Sequence, residues 1–332
     1  MADEGGLPHL VDLAVNAVAG RRLPQKGSAA PQFMQWWQDP SVKHKLASTR
    51  RTALPLIKAC GAGKAAGVRI LDCTGGWGVD AATLAAAGAT VDIIERNPIM
   101  AQLLADILQQ AHLASDLGPL LRGQVGGLWQ GEASAVLHAT TPSSTAATAE
   151  VHQLWPSIPH SLGGTPPSGP PSAPPSGPWD VLYIDAMFPP RGKASANVKL
   201  PAQWLHAIAA QEAIHSLPAE HPARADLCAA LASTPLSGMG GLLGQAMGPL
   251  ATLVGSAAEA DNVSPADALA APLVQAALDS PIRRVVLKRP SSASPFPLPK
   301  PDSGDANLPA FSVQGKSVRF DVYQRPWLQH AC

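Results

Sequence analysis

The sequence predicts an α/β fold built on a mostly parallel sheet with helices on both faces. Three stretches carry that prediction. Val68-Arg69-Ile70-Leu71-Asp72 is a short run of β-formers that closes on an acid; small residues and a turn follow (Cys73-Thr74-Gly75-Gly76-Trp77-Gly78), then an Ala-rich helix from Ala81 to Ala87. This is the strand, glycine loop and helix start of a nucleotide-binding βαβ unit. Thr90 to Glu95 reads as a second strand, again ending in an acid, and Val181-Leu182-Tyr183-Ile184 as a third, ending at Asp185. Open α/β sheets place their chemistry at the carboxyl ends of such strands.

The first loop narrows the ligand. Gly76 and Gly78 lack a Cβ, so they can take positive φ and let backbone N–H groups approach a bound molecule. With Ala81 they complete G-x-G-x-x-A, a pattern shared with dinucleotide-binding folds. Asp72 before the loop and Asp80 after it would repel a pyrophosphate. They suit a ligand with a cationic end, such as the amino group and sulfonium of S-adenosylmethionine (SAM). A dinucleotide and a plain structural turn remain the alternatives.

Composition sets the bounds. With 332 residues and 46% hydrophobic content the chain can bury a substantial core. The 34 prolines and the Ala bias point to insertions and linkers. Formal net charge is zero, so any nucleic-acid binding must come from local basic clusters. Four cysteines (Cys60, Cys73, Cys228, Cys332) without a C-x-x-C fit a reduced compartment, and the acidic start without a signal-peptide pattern fits the cytoplasm. Residues 238–258 are uncharged but interrupted by Gln245, Pro249 and several glycines, so a loose helical insertion is expected rather than a membrane span. His215 and His221 are the nearest to metal spacing, and a solvated helix accounts for them better, so no metal is expected.

In chain order, residues 1–60 read as a helical and irregular N-terminal segment. Leu7 to Lys26 carries an apolar helical pattern ending at Arg21-Arg22, and Phe33 to Arg51 mixes Trp36-Trp37 with Lys43, Lys45, Arg50 and Arg51. Aromatics among cations suit single-stranded RNA; peripheral packing explains them too. The main domain, 61–332, then carries the strands. Glu95 follows Gly78 at close to the spacing that brings a carboxylate to ribose hydroxyls, and Pro98 suits the first turn of the helix after Arg96-Asn97. Leu128-Trp129-Gln130 is a glycine-broken strand whose exit, Glu132-Ala133, could hold an adenine amine. Order should largely vanish over about 139–178, which includes a Pro/Ser/Gly tract. Asp185-Ala186-Met187-Phe188-Pro189-Pro190 offers a carboxylate, carbonyls in a proline-bounded turn and a ring, which together suit a planar base with an exocyclic amine. Arg191, Lys193 and Lys199 lie just behind it. Pro201 to Ile214 reads as a helix and 218–280 as a second, undiagnostic insertion. Arg283 to Pro290 is a strand running into a basic turn, and Phe311 to Tyr323 a closing hairpin about Gln314-Gly315-Lys316.

Taken together these segments resemble the RsmJ family, the small-subunit (16S) ribosomal RNA guanine-N2 methyltransferases. The resemblance rests on Asp72 to Ala81 (family D-A-T-A-G-L-G-R-D-A), Glu95-Arg96-Asn97-Pro98 (E-R-N-P) and Tyr183 to Pro189 (Y-L-D-P-M-F-P). It continues in Val285 to Pro290 (V-V-V-K-R-P) and Arg319 to Tyr323 (R-F-D-I-Y). These ordered motifs cover less than half of the chain. Val79 stands where the family has Arg, Glu132-Ala133 where it often has two serines, and Ala186 where it has Pro. The resemblance implies a Rossmann-like class I methyltransferase fold, seven-stranded with a reversed final strand, and a small-subunit rRNA or ribosomal-subunit partner. It implies SAM contacts at Asp72, Thr74, Gly76, Gly78, Val79, Asp80, Glu95, Arg96, Glu132, Ala133 and Asp185. Asp185 and Phe188 are the catalytic expectation, with Arg191, Lys193, Lys199, Lys288 and Arg289 as phosphate contacts. A SAM-dependent enzyme for a small molecule or protein, and a non-catalytic RNA-binding relic, are the alternatives.

Overall fold

Strands form where the sequence offers short β-branched and aliphatic runs, and their burial shows how they are packed. The computed structural model describes residues 36–48, 51–63, 67–121, 124–139, 151–155, 179–185, 200–234, 239–253, 265–296 and 308–324. They fall into two units, Trp37–Ala186 with Pro272–Cys332, and Met1–Trp36 with Met187–Ala271.

The first unit carries the sheet. After α1 (Pro40–Ala47) and α2 (Pro55–Cys60) the chain runs through β1 (Arg69–Asp72), α3 (Val79–Ala86), β2 (Thr90–Glu95) and α4 (Pro98–Leu113). A short α5 (Gly118–Leu121), β3 (Val125–Gln130), α6 (Ala133–Ala139), β4 (His152–Trp155) and β5 (Val181–Ile184) follow. The unit closes with β6 (Arg284–Pro290), β7 (Phe311–Gln314) and β8 (Val318–Gln324). Strand order is β4-β3-β2-β1-β5-β6-β8-β7. β1 pairs in parallel with β2 and β5, β2 with β3, and β5 with β6; β4 and β8 run antiparallel to their neighbours β3 and β6. Every residue of β5 is buried, so both faces of the sheet are covered there.

Two expectations change. The sheet has eight strands rather than seven, because part of the expected structureless insertion pairs as β4 beside β3. An uncovered β3 would expose a row of unpaired N–H and C=O groups. The reversed final strand is present as β8, with β7 hairpinned onto it through Gly315, whose N–H donates to the Val318 carbonyl at 2.7 Å.

Local chemistry fixes the helix starts around the glycine loop. Asn97 caps α4, its Oδ1 accepting from the N–H groups of Ile99 and Met100, both at 3.0 Å, and Pro98 takes the position where no donor is required. Leu104 and Leu108 of α4 are buried beneath the loop.

In the second unit the described elements are α7 (Leu200–Ser216), α8 (Pro222–Ser233), α9 (Met239–Leu253) and the start of α10 (Pro265–Asp279), which enters the first unit at Pro272. Helix α9 packs along α7 and, less extensively, α8. The turn between α7 and α8 is closed by Arg224, whose Nη1 donates to the Leu217 carbonyl at 2.7 Å. The residues after 218 were undiagnostic in sequence because Ala-rich stretches favour helix without the polar and apolar stripes that reveal a buried face. Among the described residues no helix is long and apolar enough to cross a membrane.

Candidate active site

The chain leaves β1 outward through β2 and β3, then returns to the other side of β1 as β5. Open α/β sheets bind their ligands in the crevice at such a reversal, here at the carboxyl ends of β1 and β5. Asp72, 1% exposed, ends β1 and turns its Oδ1 onto the following loop, accepting from the Thr74 N–H at 3.0 Å and the Thr74 hydroxyl at 3.3 Å. The same hydroxyl oxygen accepts the Asp185 N–H at 2.7 Å, so the exits of β1 and β5 are tied through one threonine. Glu95 at the end of β2 accepts from Gly76 N–H and Asn97 N–H, both at 2.9 Å.

The loop's glycines serve different ends. Gly76 has φ +52° and its nearest would-be Cβ neighbour is 3.6 Å away, so backbone conformation, not space, selects it. Gly78 has φ +74°, and a Cβ there would lie 2.5 Å from Leu104. Gly75 is restricted by packing, 2.8 Å from Leu104 and 2.9 Å from Ile93.

A second cluster faces the first. Asp80, in the first turn of α3, accepts from the Tyr183 hydroxyl at 2.7 Å and from Lys288 Nζ at 2.7 Å. Lys288 Nζ also donates to Asp185 Oδ2 at 2.7 Å. The β5–β6 register explains the meeting: Ile184 pairs with Leu287, which brings the next residues, Asp185 and Lys288, to one level.

Carboxylates outnumber cations here, and burial makes that imbalance tell on their acidity. Burial, reinforced by the charges of Asp80, Asp185 and Glu95, pushes Asp72 up to about 8 against the pull of the Thr74 N–H. Asp185 is raised by burial and by Asp80, with Lys288 opposing. Asp80 feels the same burial, but Lys288 and the Tyr183 hydroxyl hold it below the usual range. Burial disfavours the Lys288 ammonium, yet Asp185 and Asp80 hold its pKa above the ordinary lysine value. A crevice with excess acid, an open glycine turn and two strand-end carboxylates fits a nucleoside carrying a positive charge.

Of the expected residues, Asp72, Thr74, Gly76, Gly78, Val79, Asp80, Glu95 and Asp185 gather at this end of the sheet. Glu132 and Ala133 follow β3 at the same end, Glu132 exposed and Ala133 buried; Arg96 is exposed beyond β2. Phe188, the Ala186 and Met187 carbonyls, Arg191, Lys193 and Lys199 lie outside the described residues, as do the prolines 166–178 and the N-terminal arginines. Two of the residues expected at phosphates are engaged within the protein. Lys288 is ion-paired to two carboxylates. Arg289 is 1% exposed, its guanidinium 5.2 Å from the Phe296 ring centre, too enclosed to meet a phosphate. Lys43 on α1 pairs with Asp116 at 2.7 Å. Sequence reading passed over Tyr183 as a partner of Asp80, since that contact spans 103 positions and leaves no local signal. Among the described residues no group of His, Cys, Asp and Glu is arranged to hold a metal ion.

Residues 21–161 match the family model described as "Putative SAM-dependent methyltransferase". Ribosomal RNA small subunit methyltransferase J of Pseudoalteromonas atlantica is 28% identical over 218 residues, 59% of this chain and 72% of that protein. The protein of that name from Dechloromonas aromatica is 28% identical over 261 residues, 78% of this chain and 66% of its own length. The one from Yersinia pestis is 34% identical over 143 residues, 42% of this chain and 51% of its own length. Among solved structures, a SAM-dependent methyltransferase of Neisseria gonorrhoeae superposes with a TM-score of 0.43 at 18% identity, over 92% of this chain and 78% of that one.

Proposed function

We propose that this chain is a SAM-dependent methyltransferase of the RsmJ kind, and that it methylates the exocyclic amine (N2) of a guanosine in small-subunit ribosomal RNA. When bound, SAM supplies an electrophilic methyl group. The acids Asp72, Asp80 and Glu95, with the Gly76–Gly78 turn, would hold it; Val79, Arg96, Glu132 and Ala133 are proposed as further contacts. The observation that carries the reading is Asp185, held at the exit of β5 against Thr74 and Lys288 on the rim of an acidic crevice.

The chemistry asked of the chain follows from the acceptor. A guanine N2 amine is a weak nucleophile because its lone pair is delocalised into the ring. Asp185 accepts one of its hydrogens, aims the lone pair and takes up the proton released on transfer, so the rate gain is largely positioning with base assistance. Phe188 stacks on the base, which must leave any helical stack to reach the crevice. Arg191, Lys193 and Lys199 contact phosphates.

Methyl transfer to 16S rRNA or to the small subunit, read by mass spectrometry of the rRNA, tests this. Modification at a guanine N2 is expected; donor binding by calorimetry without any rRNA product would overturn it. Phe188→Ala is expected to weaken RNA capture with donor affinity unchanged.

One observation favours a second reading, a SAM-dependent enzyme acting on a small molecule or protein. Lys288 and Arg289, two of the five cations expected at phosphates, are committed inside the protein. Filter binding of 16S rRNA separates the readings, since this alternative gives no salt-dependent retention.

A further inference from the structure

One ammonium ties three elements together at the crevice. Lys288 on β6 stands 2.7 Å from Asp185 beyond β5 and 2.7 Å from Asp80 Oδ2 on α3, and the same Asp80 oxygen accepts from the Tyr183 hydroxyl at 2.7 Å. Without that charge, the two acids would repel one another at a partly buried strand end. We propose that Lys288 is a positioning residue for methyl transfer, whose bridge fixes the Asp80–Asp185 spacing and keeps the Asp185 carboxylate available to the acceptor amine; this rests on Asp185 being the acceptor's partner.

The groups that set the state of Asp185 come from every element around it. Lys288 faces it from β6, Asp80 from α3, Tyr183 from β5 itself, and Asp72 from β1; Glu95 of β2 acts on Asp72, and Lys45 of α1 on Asp80. Lys288 is the cation that opposes burial at Asp185. Removing it leaves burial and Asp80 both favouring the protonated acid, which cannot accept a proton from the amine. The sign is then fixed: the rate falls on acidification as Asp185 gains its proton, and loss of Lys288 moves that fall to higher pH.

The test compares wild type, Lys288→Met, Lys288→Arg and Asp185→Asn. In Lys288→Met the acid limb of the kcat profile is expected to shift upward by at least about one pH unit, a tenfold rate deficit below it that closes at alkaline pH. Lys288→Arg is expected to return the limb toward wild type. The carboxylate 13C titration of Asp185 in the donor-free protein should move in the same direction, which a merely weakened fold would not produce. The salt slope of rRNA retention should stay unchanged in Lys288→Met. An unmoved limb and carbon titration, or a salt slope reduced by about one, would overturn the proposal in favour of a phosphate contact. Asp185→Asn retaining full rate would instead overturn the reading beneath it.

Discussion

Asp92 in the middle of β2 and Asp185 at the exit of β5 are acids carried by the same sheet, yet they are balanced differently. Asp92, 4% exposed, accepts from the Trp179 indole N–H at 2.8 Å and from Arg69 at 3.3 Å. Those two donors oppose the upward push of burial, and Gly126 packs so tightly that a Cβ there would meet Asp92 Oδ1 at 2.2 Å. Asp185 shares one ammonium with Asp80, near a third acid, Asp72, and its side chain remains 38% exposed. A buried carboxylate enclosed by its own donors is a fastening. Carboxylates in excess of their cation, at an open strand end, retain capacity for a ligand.

The sharpest way to break this contrast is to delete each acid. Asp185→Ala is expected to lower kcat by on the order of 10²–10⁴ with donor affinity held within a few-fold, measured by single-turnover methylation and calorimetry. Asp92→Ala should leave turnover per folded molecule near wild type and instead cost about 1–3 kcal/mol in denaturant unfolding, because the Trp179 and Arg69 donors lose their acceptor. Exchanged outcomes would erase the distinction.

Acidity offers a finer test. With Asp72 raised to about 8, the donor-free protein holds a proton there at neutral pH. A cationic ligand favours the ionised form, so donor affinity should climb as pH rises toward 8, by at most about tenfold per unit, and level off beyond. Asp72→Asn should flatten that climb. The linked stability has the opposite sign: a raised carboxyl favours the folded state at low pH, and that contribution fades as pH rises through about 8.

Two glycines give the smallest contrast. Gly126→Ala must displace Asp92 and should lower the unfolding midpoint with no selective effect on donor binding. Gly76→Ala makes only an ordinary contact, 3.6 Å from the Thr74 carbonyl oxygen, and carries the backbone cost of positive φ, about 1–2 kcal/mol, so its larger effect should be on donor affinity.

Much of this was legible before any coordinates. The acid-terminated strands, the positive-φ glycines at 76 and 78, the Asn97-Pro98 helix start and the closing hairpin are each written within a few consecutive residues. β4 was not, since an edge strand inside an insertion owes its pairing to β3 and has no strong pattern of its own. The need for Gly75 was equally hidden, because it comes from Leu104 and Ile93 on other elements.

The sequence by itself determined which residues would end strands in acids and where the backbone had to turn, because propensity, capping and glycine conformation act over neighbouring positions. Tertiary structure decided what those acids do to one another. Lys288 reads as a surface cation in a basic turn and becomes the bridge between Asp80 and Asp185 across 208 and 103 positions, while Arg289 beside it turns inward against Phe296. Strand register and burial choose between such fates, and both are properties of the assembled sheet.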